Sequence, residues 1–516
     1  MESPLSANPL VVWLRRAQAR HSYWLTRFLI LRLLGLVYFA AFVSLAVQVL
    51  PLLGSHGLLP AQDYLVGVQR HLGSWIEGLL ALPSLFWFGI SDGALTTLAW
   101  AGAALSLVVM LGYANVPIMA VLWLLYSSFV NIGQEWYAYG WEIQLLEIGF
   151  LAMFLCPLLD GRPFPKRPPP VLILWLFRWL SFRIMLGAGL IKWHGDSCWR
   201  DLTCLDFHYE TQPIPNPLSR WFHFHPPWLH RVETAWNHVV ELGVPWFAFG
   251  PRPVRHVAGV LFVSFQVFLI FSGNLSFLNW LTIVPMLACF DDSLLAKVLP
   301  KALVARARRA AENNPPTPPQ EVLSVVYAVI VALLSIAPML NLISDHQVMN
   351  DSFDRLHLVN TYGAFGVVGR ERREIIFEGT TDETPDDHTV WRAYEFPFKP
   401  GDPTRTPGVI APFQPRLDWA IWFAAMSTPN NYPWTLHFVW KLLQNDAGTL
   451  SLLANNPFPG EPPRYIRAQL YRYRFAQPGN PAGRYWEREL LGPWLPPLSA
   501  SDPVWQDVRR VYGWAR

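Results

Sequence analysis

The sequence predicts a polytopic α-helical membrane protein with about nine spanning helices and a C-terminal mixed, β-containing soluble domain. Three observations carry that reading. Of 516 residues, 52% are hydrophobic and only 15% are charged. A soluble domain carries about 25% charged residues, so the deficit points to lipid as the solvent. Apolar runs of spanning length recur between residues 27 and 343. Beyond residue 344 the chain turns rich in charge, Pro, Trp and Tyr, and no such run follows.

A bilayer core needs roughly 20 apolar helical residues. Nine runs qualify as candidates: 27–50, 94–114, 117–131, 141–159, 171–191, 233–250, 254–272, 275–290 and 321–343, of which the third and eighth are short. The first is too long for the core of a cleavable signal peptide. Residues 56–92 are only moderately apolar and suggest an interfacial or re-entrant helix. ENNPPTPPQ (312–320) reads as a proline-rich linker. In the tail, YIRAQLYRYRF (465–475) places Tyr465, Arg467, Gln469, Tyr471, Tyr473 and Phe475 on one face of a strand and Ile466, Ala468 and Leu470 on the other. REIIFEG and VWRAYEFPF also read as strands, LDWAIWFAAM and WTLHFVWKLLQ as helices. The expected division is an N-terminal cytoplasmic segment 1–26, a transmembrane domain 27–344 with an outer loop 192–232, and an extracytoplasmic domain 345–516.

Loop charges set the orientation, because Lys and Arg are retained on the cytoplasmic side. With Arg15, Arg16, Arg20 and Arg27 inside, the inner loops 115–116, 160–170, 251–253 and 291–320 collect Arg162, Lys166, Arg167, Arg252, Lys297, Lys301, Arg306, Arg308 and Arg309. Outer loops 51–93 and 132–140 hold only Arg70. Loop 192–232 is a partial exception, with Lys192, Arg200, Arg220 and Arg231. An odd number of spans puts the C-terminus outside. Arg greatly outnumbers Lys, a bias of GC-rich bacterial genomes, which favours a bacterial inner membrane; in a eukaryote the membrane would be the endoplasmic reticulum. A net charge of +3, without basic and aromatic interleaving, gives no reason to expect a nucleic-acid partner. Membrane lipids are the expected surroundings.

The densest polar chemistry is GLIKWHGDSCWRDLTCLDFHYETQPIPNP (189–217), which begins as the end of an apolar helix. Lys192 sits at that end. It can snorkel to headgroups, pair with Asp196 or an intramembrane glutamate, or act as a desolvated base. Lys192, Asp196, Trp199, Arg200, Asp201, His208, Tyr209 and Glu210 are expected to line one outward-facing site. The rival is a rigid lid in which Arg200 pairs with Asp201 or Asp206. Cys198 and Cys204 share this loop in a compartment that permits disulfides, and a structural bridge is the leading reading. They lack CxxC spacing for redox work. A zinc site with His194 or His208 lacks a second ligand pair, so no metal is expected. Cys156 and Cys289 lie in apolar runs.

Other polar groups fall inside the apolar runs: Arg32, Glu142, Glu147, Arg178, Arg183, Glu233, His238, Glu241, Asn274 and Asn279. Charges at membrane depth face a bundle interior and find partners. The expected pairing sets Glu142 and Glu147 against Arg178 and Arg183. No HExxH, P-loop or GxGxxG occurs, so none of those enzyme classes has its motif here and no cofactor is expected.

YGWEIQLLEIGFLAMFLCPLLD, FRIMLGAGLIKWHGDSCWRDLTCLDFHYETQPIPNPLSRWF, SGNLSFLNWLTIVPMLACFDD and LLANNPFPGEPPRYIRAQLYRYRF, in this order along the chain, resemble the lipase maturation factor family. The resemblance runs from about residue 20 to the C-terminus. It implies a multi-pass membrane protein that acts as a chaperone-like factor on an exported client protein, a lipase in animal members, which reside in the endoplasmic reticulum. The client-binding surface would then lie after about residue 345. A second, more distant resemblance joins GAGLIKWHGDSCW to the vitamin K-dependent gamma-carboxylase superfamily, also called the HTTM domain. There a lysine at the place of Lys192 is a base, and the carboxylase's paired lysines are here Ile191 and Lys192. That likeness implies an alternative, a membrane enzyme acting on a quinone, lipid or exported peptide.

Overall fold

The structure is a computed structural model that describes residues 22–313 and 318–514. Arg15, Arg16, Arg20 and the middle of the proline-rich linker lie outside those residues. Among the described residues, four helices are long and apolar enough to cross a membrane: Trp24–Ala46, Asp92–Leu111, Val171–His194 and Arg252–Ser272. Val322–Leu334 and Ile336–Leu342 form a fifth candidate, bent by 40°. Pro338 explains the bend, since it cannot donate to the Leu334 carbonyl and its ring crowds that oxygen.

The count of nine is not reached on length and composition. Val116–Ile132 and Leu278–Cys289 are shorter apolar helices. Gly140–Leu155 has 16 residues, nearly all buried, so protein and not lipid surrounds it. The 233–250 run is not one helix. It divides into Pro227–His238, a π-helical turn Val239–Gly243 and a 3-10 segment Val244–Phe249. Pro245 would crowd the Glu241 carbonyl in a regular helix, and the wider π turn avoids that clash. Hydropathy counts apolar residues without telling a lipid-facing side chain from a protein-facing one. Residues 56–92 form short helices, Ala61–Leu72 and Trp75–Ala81, that leave Trp75, Ile76 and Leu80 exposed.

The C-terminal region carries a four-stranded antiparallel sheet of order β2-β1-β3-β4, with β1 Arg372–Thr380, β2 Arg392–Ala393, β3 Tyr465–Phe475 and β4 Trp486–Ser499. VWRAYEFPF contributes only two strand residues, and β4 was not expected. Gly492, Pro493, Pro496 and Pro497 hide its periodicity, and an edge strand tolerates them because one side needs no ladder bonds. The strict alternation expected of β3 also fails. Ile466 and Ala468 are buried near its start and Tyr473 and Phe475 near its end, across register shifts against β4. The two expected helices form as Arg416–Ala425 and Trp434–Leu443.

This region is packed onto one end of the helices, and a single hydrophobic core includes Phe42, Leu146, Phe377 and Phe438. His437 Nδ1 lies 2.8 Å from the Leu58 carbonyl oxygen. Trp422 donates to the Thr211 carbonyl at 3.1 Å, and Asn274 to the Gly408 carbonyl at 2.9 Å. All three contacts reach segments at the end of the bundle read as outer.

Candidate functional site

Lys192 ends the long helix Val171–His194 and is only 5% exposed. Its Nζ donates to Glu241 Oε1 at 2.6 Å and to Asn237 Oδ1 at 3.2 Å, and Asn237 donates back to Glu241 Oε2 at 2.9 Å. Asn237 and Glu241 stand four residues apart and so share a face, with the π turn Val239–Gly243 beginning between them. Two glycines let the elements approach. A Cβ on Gly189 would come within 2.6 Å of Leu242 and 3.0 Å of the Glu241 Cβ, and one on Gly187 would overlap the Tyr362 carbonyl. The GAG of the sequence is therefore a packing requirement of the lysine site.

A disulfide joins Cys198 and Cys204, with Cα atoms 4.8 Å apart. It closes a loop worth roughly 2 kcal/mol by chain entropy. The loop holds Trp199 with its ring centroid 5.0 Å from Lys192 Nζ. Trp199 Nε1 donates to the Phe365 carbonyl at 2.8 Å, and the Asp196 amide to that of Gly366 at 2.9 Å. These bonds draw residues 362–369 across the site as a strap. Phe365 takes a left-handed φ of 54° there, a conformation a bulky side chain adopts only when its surroundings hold it. Its ring meets His208 edge-on at 4.6 Å. Burial, and secondly the charge of Lys192, push the His208 imidazole down to about 3, so it is neutral at ordinary pH.

Lys192, Trp199, His208 and Tyr209 border one chamber of about 980 Å³, at the upper end of the range for small-molecule sites. Its walls come from both parts of the chain. Met185 and Ala188 lie on the lysine helix, Phe265 and Leu269 on Arg252–Ser272, and Trp419 and Phe423 on the C-terminal region. Sequence reasoning offered Asp196 or an intramembrane glutamate as a partner of Lys192 without singling out Glu241, which is the partner found. It missed Asn237, Phe365 and the tryptophan helix Arg416–Ala425 as parts of the site.

The other four expected site residues do not border the chamber. Asp196 caps the Cys198 amide and pairs with Arg370 at 2.8 Å. Arg200 donates to the Trp193 carbonyl at 2.5 Å, not to Asp201 or Asp206, and Asp201 is exposed. Glu210 accepts from the Phe475 amide at 2.7 Å. Asp196, Arg200 and Glu210 are spent on holding the loop against its neighbours. Nearby, Tyr209 donates to Glu233 at 3.0 Å, and His225 Nδ1 lies 3.0 Å from the same carboxylate. His225, His230 and Glu233 bring ligand-type atoms within 4.8 Å, yet both His230 nitrogens are already engaged, by Asp206 and the Phe222 carbonyl.

The intramembrane charges are paired, though only partly as expected. Arg183 meets Glu147, which also accepts from Tyr362 at 2.7 Å and from the Asn360 amide at 3.0 Å. Glu142 pairs with Arg416 at 2.8 Å and accepts from Tyr126. Among the described residues Arg178 reaches no carboxylate. It donates to the Ala288 carbonyl at 2.8 Å and to the Tyr23 hydroxyl at 3.0 Å. His238 Nε2 lies 2.9 Å from the Trp199 carbonyl oxygen. Asn274 holds the 408–411 segment, and Asn279 donates to Gln266 at 2.8 Å. Both carboxylates thus bond to residues after 345, which hydropathy alone could not anticipate.

Two family models match the chain: the lipase maturation factor transmembrane domain over residues 25–297 and the lipase maturation factor C-terminal domain over residues 358–496. Lipase maturation factor 1 of Bos taurus is 49% identical, across 93% of this chain and 90% of its own length. The Homo sapiens protein of that name is 46% identical, across 94% and 90%. Lipase maturation factor 2 of Homo sapiens is 30% identical, across 95% and 85%. No solved structure matches. With the apolar helices, the charges paired among them and the sheet packed on one end, these matches make the chain an integral membrane protein of the lipase maturation factor family.

Proposed function

We propose that the chain is a membrane-embedded maturation factor that helps an exported client of the lipase class reach its folded state on the outer side of the membrane. The observation that carries this reading is identity of 46% to 49%, over nine-tenths of the chain, to relatives named lipase maturation factor 1. The Cys198–Cys204 bridge supports work in an oxidising compartment, the lumen of the endoplasmic reticulum or a bacterial periplasm. The test is deletion of the chain in a cell that secretes a lipase. Inactive, retained lipase at unchanged synthesis, and its co-purification with the full chain, are expected. Normal secretion of active lipase would sink the reading.

The topology belongs to the same proposal. Counting the bent pair, the two shorter apolar helices, the buried Gly140–Leu155 and the kinked 227–249 segment with the four long helices gives nine passes, an N-terminus in the cytoplasm and a C-terminus outside. A reporter active only in the cytoplasm, fused after Arg516, should be silent. Strong activity would mean that the number of passes is even.

A second reading, an enzyme using Lys192 as base on a quinone, lipid or exported peptide, is favoured by the position of Lys192 on the chamber wall. Against it, two of the three Nζ donors are committed to Glu241 and Asn237. Covalent change in a purified client or lipid, dependent on the chain, would select it.

A further inference from the structure

The polar end of the chamber contains a group that the protein leaves unused. His208 is only 7% exposed and borders the chamber, and among the described residues no hydrogen bond engages its ring nitrogens. Its ring contacts are to Tyr209 and Phe365, both aromatic. Its ring nitrogens are not among the walled-in atoms left without a partner, so they open onto the chamber, where an incoming polar group can reach them. Beside it, Lys192 retains a third donor after serving Glu241 and Asn237.

The charged groups around this end are already engaged, the cations by carboxylates. Lys192 is matched by Glu241, Arg372 by Glu374 at 2.6 Å, and Glu233 stands against His225 and the Tyr209 hydroxyl. An ionised newcomer would be buried without a counter-charge, which is expensive. A neutral oxygen would not. Away from this end the walls are mostly hydrocarbon and aromatic, through Met185, Ala188, Phe265 and Leu269 on helices long enough to cross the bilayer, then Trp419 and Phe423, and the polar side chains among them bond to one another, Gln144 to Thr282 at 3.0 Å and Asn279 to Gln266 at 2.8 Å. The chamber therefore continues from membrane depth to a polar terminus at the outer boundary, the profile of a molecule with one apolar tail and one uncharged polar head.

We propose that this chamber is a binding site for an uncharged amphiphile drawn from the membrane, its carbonyl or hydroxyl oxygen held by His208 and Lys192 and its hydrocarbon tail lying along Met185, Phe265 and Leu269. The site stands on the chamber's own chemistry and does not depend on which client is matured. An acylglycerol and an isoprenoid ketone share this chemistry, and the experiment separates them.

The full chain in lipid nanodiscs is irradiated with a monoacylglycerol carrying a diazirine in its tail, and labelled peptides are read by mass spectrometry. Saturable labelling of peptides that contain Met185 or Leu269 is expected. His208→Leu should weaken it about tenfold, the loss of one buried hydrogen bond, and His208→Asn, which keeps a donor and an acceptor, should largely retain it. A fatty-acid diazirine of equal length, ionised at pH 8, should label about tenfold less for want of a counter-charge. Leu269→Trp fills the tail channel and should remove labelling at an unchanged melting temperature, which decides the matter even where His208→Leu folds poorly. Competition by unlabelled monoacylglycerol or by an isoprenoid quinone assigns the source. Labelling that does not saturate, that survives both His208→Leu and Leu269→Trp, or that is equally strong with the ionised acid would overturn the proposal.

Discussion

Arg416→Met is expected to cost about 3–5 kcal/mol of folding free energy, because it strands a buried carboxylate. The Arg416 and Glu142 side chains are both fully buried, with NH1 2.8 Å from Oε1. The guanidinium also donates to the Trp136 carbonyl at 2.5 Å and stacks 3.4 Å above the Tyr137 ring. It lies on the first helix after the sheet's β2, and Glu142 lies on the helix Gly140–Leu155, so this one pair ties the C-terminal region to the buried centre of the bundle. Among the described residues, removing the cation leaves Glu142 with only the Tyr126 hydroxyl. Thermal melting and limited proteolysis in detergent should both show the loss, with cleavage after residue 344 appearing first. Glu142→Gln combined with Arg416→Met should recover much of the stability, since no charge then remains uncompensated. If Arg416→Met alone melts with the wild type, the pair contributes nothing and the two parts are held by apolar contact.

That pair also marks where reading the sequence reached its limit. Hydropathy located the long helices correctly, because lipid-facing side chains must be apolar whatever they pack against. It could not separate Gly140–Leu155, which is apolar because it is enclosed by protein, from a lipid-spanning run. Glu147–Arg183 was within reach of sequence reasoning because both lie in apolar runs. Glu142–Arg416 was not, because the partner sits 274 residues away in a segment read as soluble. The lysine site shows the same division. Lys192, Trp199, His208 and Tyr209 were legible from their density at a helix end. Asn237 was not, because a single uncharged amide in the sequence carries no mark of the site it joins. Asp196, Arg200, Asp201 and Glu210 share the loop with the site residues but turn away from the chamber. Proximity in sequence says nothing about which side of a loop a carboxylate faces.

The lysine site yields the largest functional effect, and the geometry dictates how to measure it. Lys192→Met by itself is a poor probe. Glu241 is only 3% exposed, and with the ammonium gone its carboxylate keeps just the Asn237 amide. A stranded charge of that kind costs about 3–5 kcal/mol, so lost function would be inseparable from lost fold. Lys192→Met combined with Glu241→Gln removes both charges, and the Gln side chain can still bond to Asn237. This double variant is expected to melt close to the wild type and to be produced at the same level. Secretion of active client should nonetheless fall about tenfold or more, the effect of removing a hydrogen bond made by a charged group, worth roughly 1.5–3 kcal/mol. Glu241→Gln alone supplies the third corner of the cycle, keeping the ammonium beside a neutral amide. Glu241→Gln strands the buried ammonium and is destabilised in its turn, so activity is compared per folded protein: if the ammonium is what acts, Glu241→Gln retains more of it than the double variant. If the double variant secretes active client as the wild type does, the buried pair is scaffold, and the function of this end of the chain lies in the C-terminal region alone.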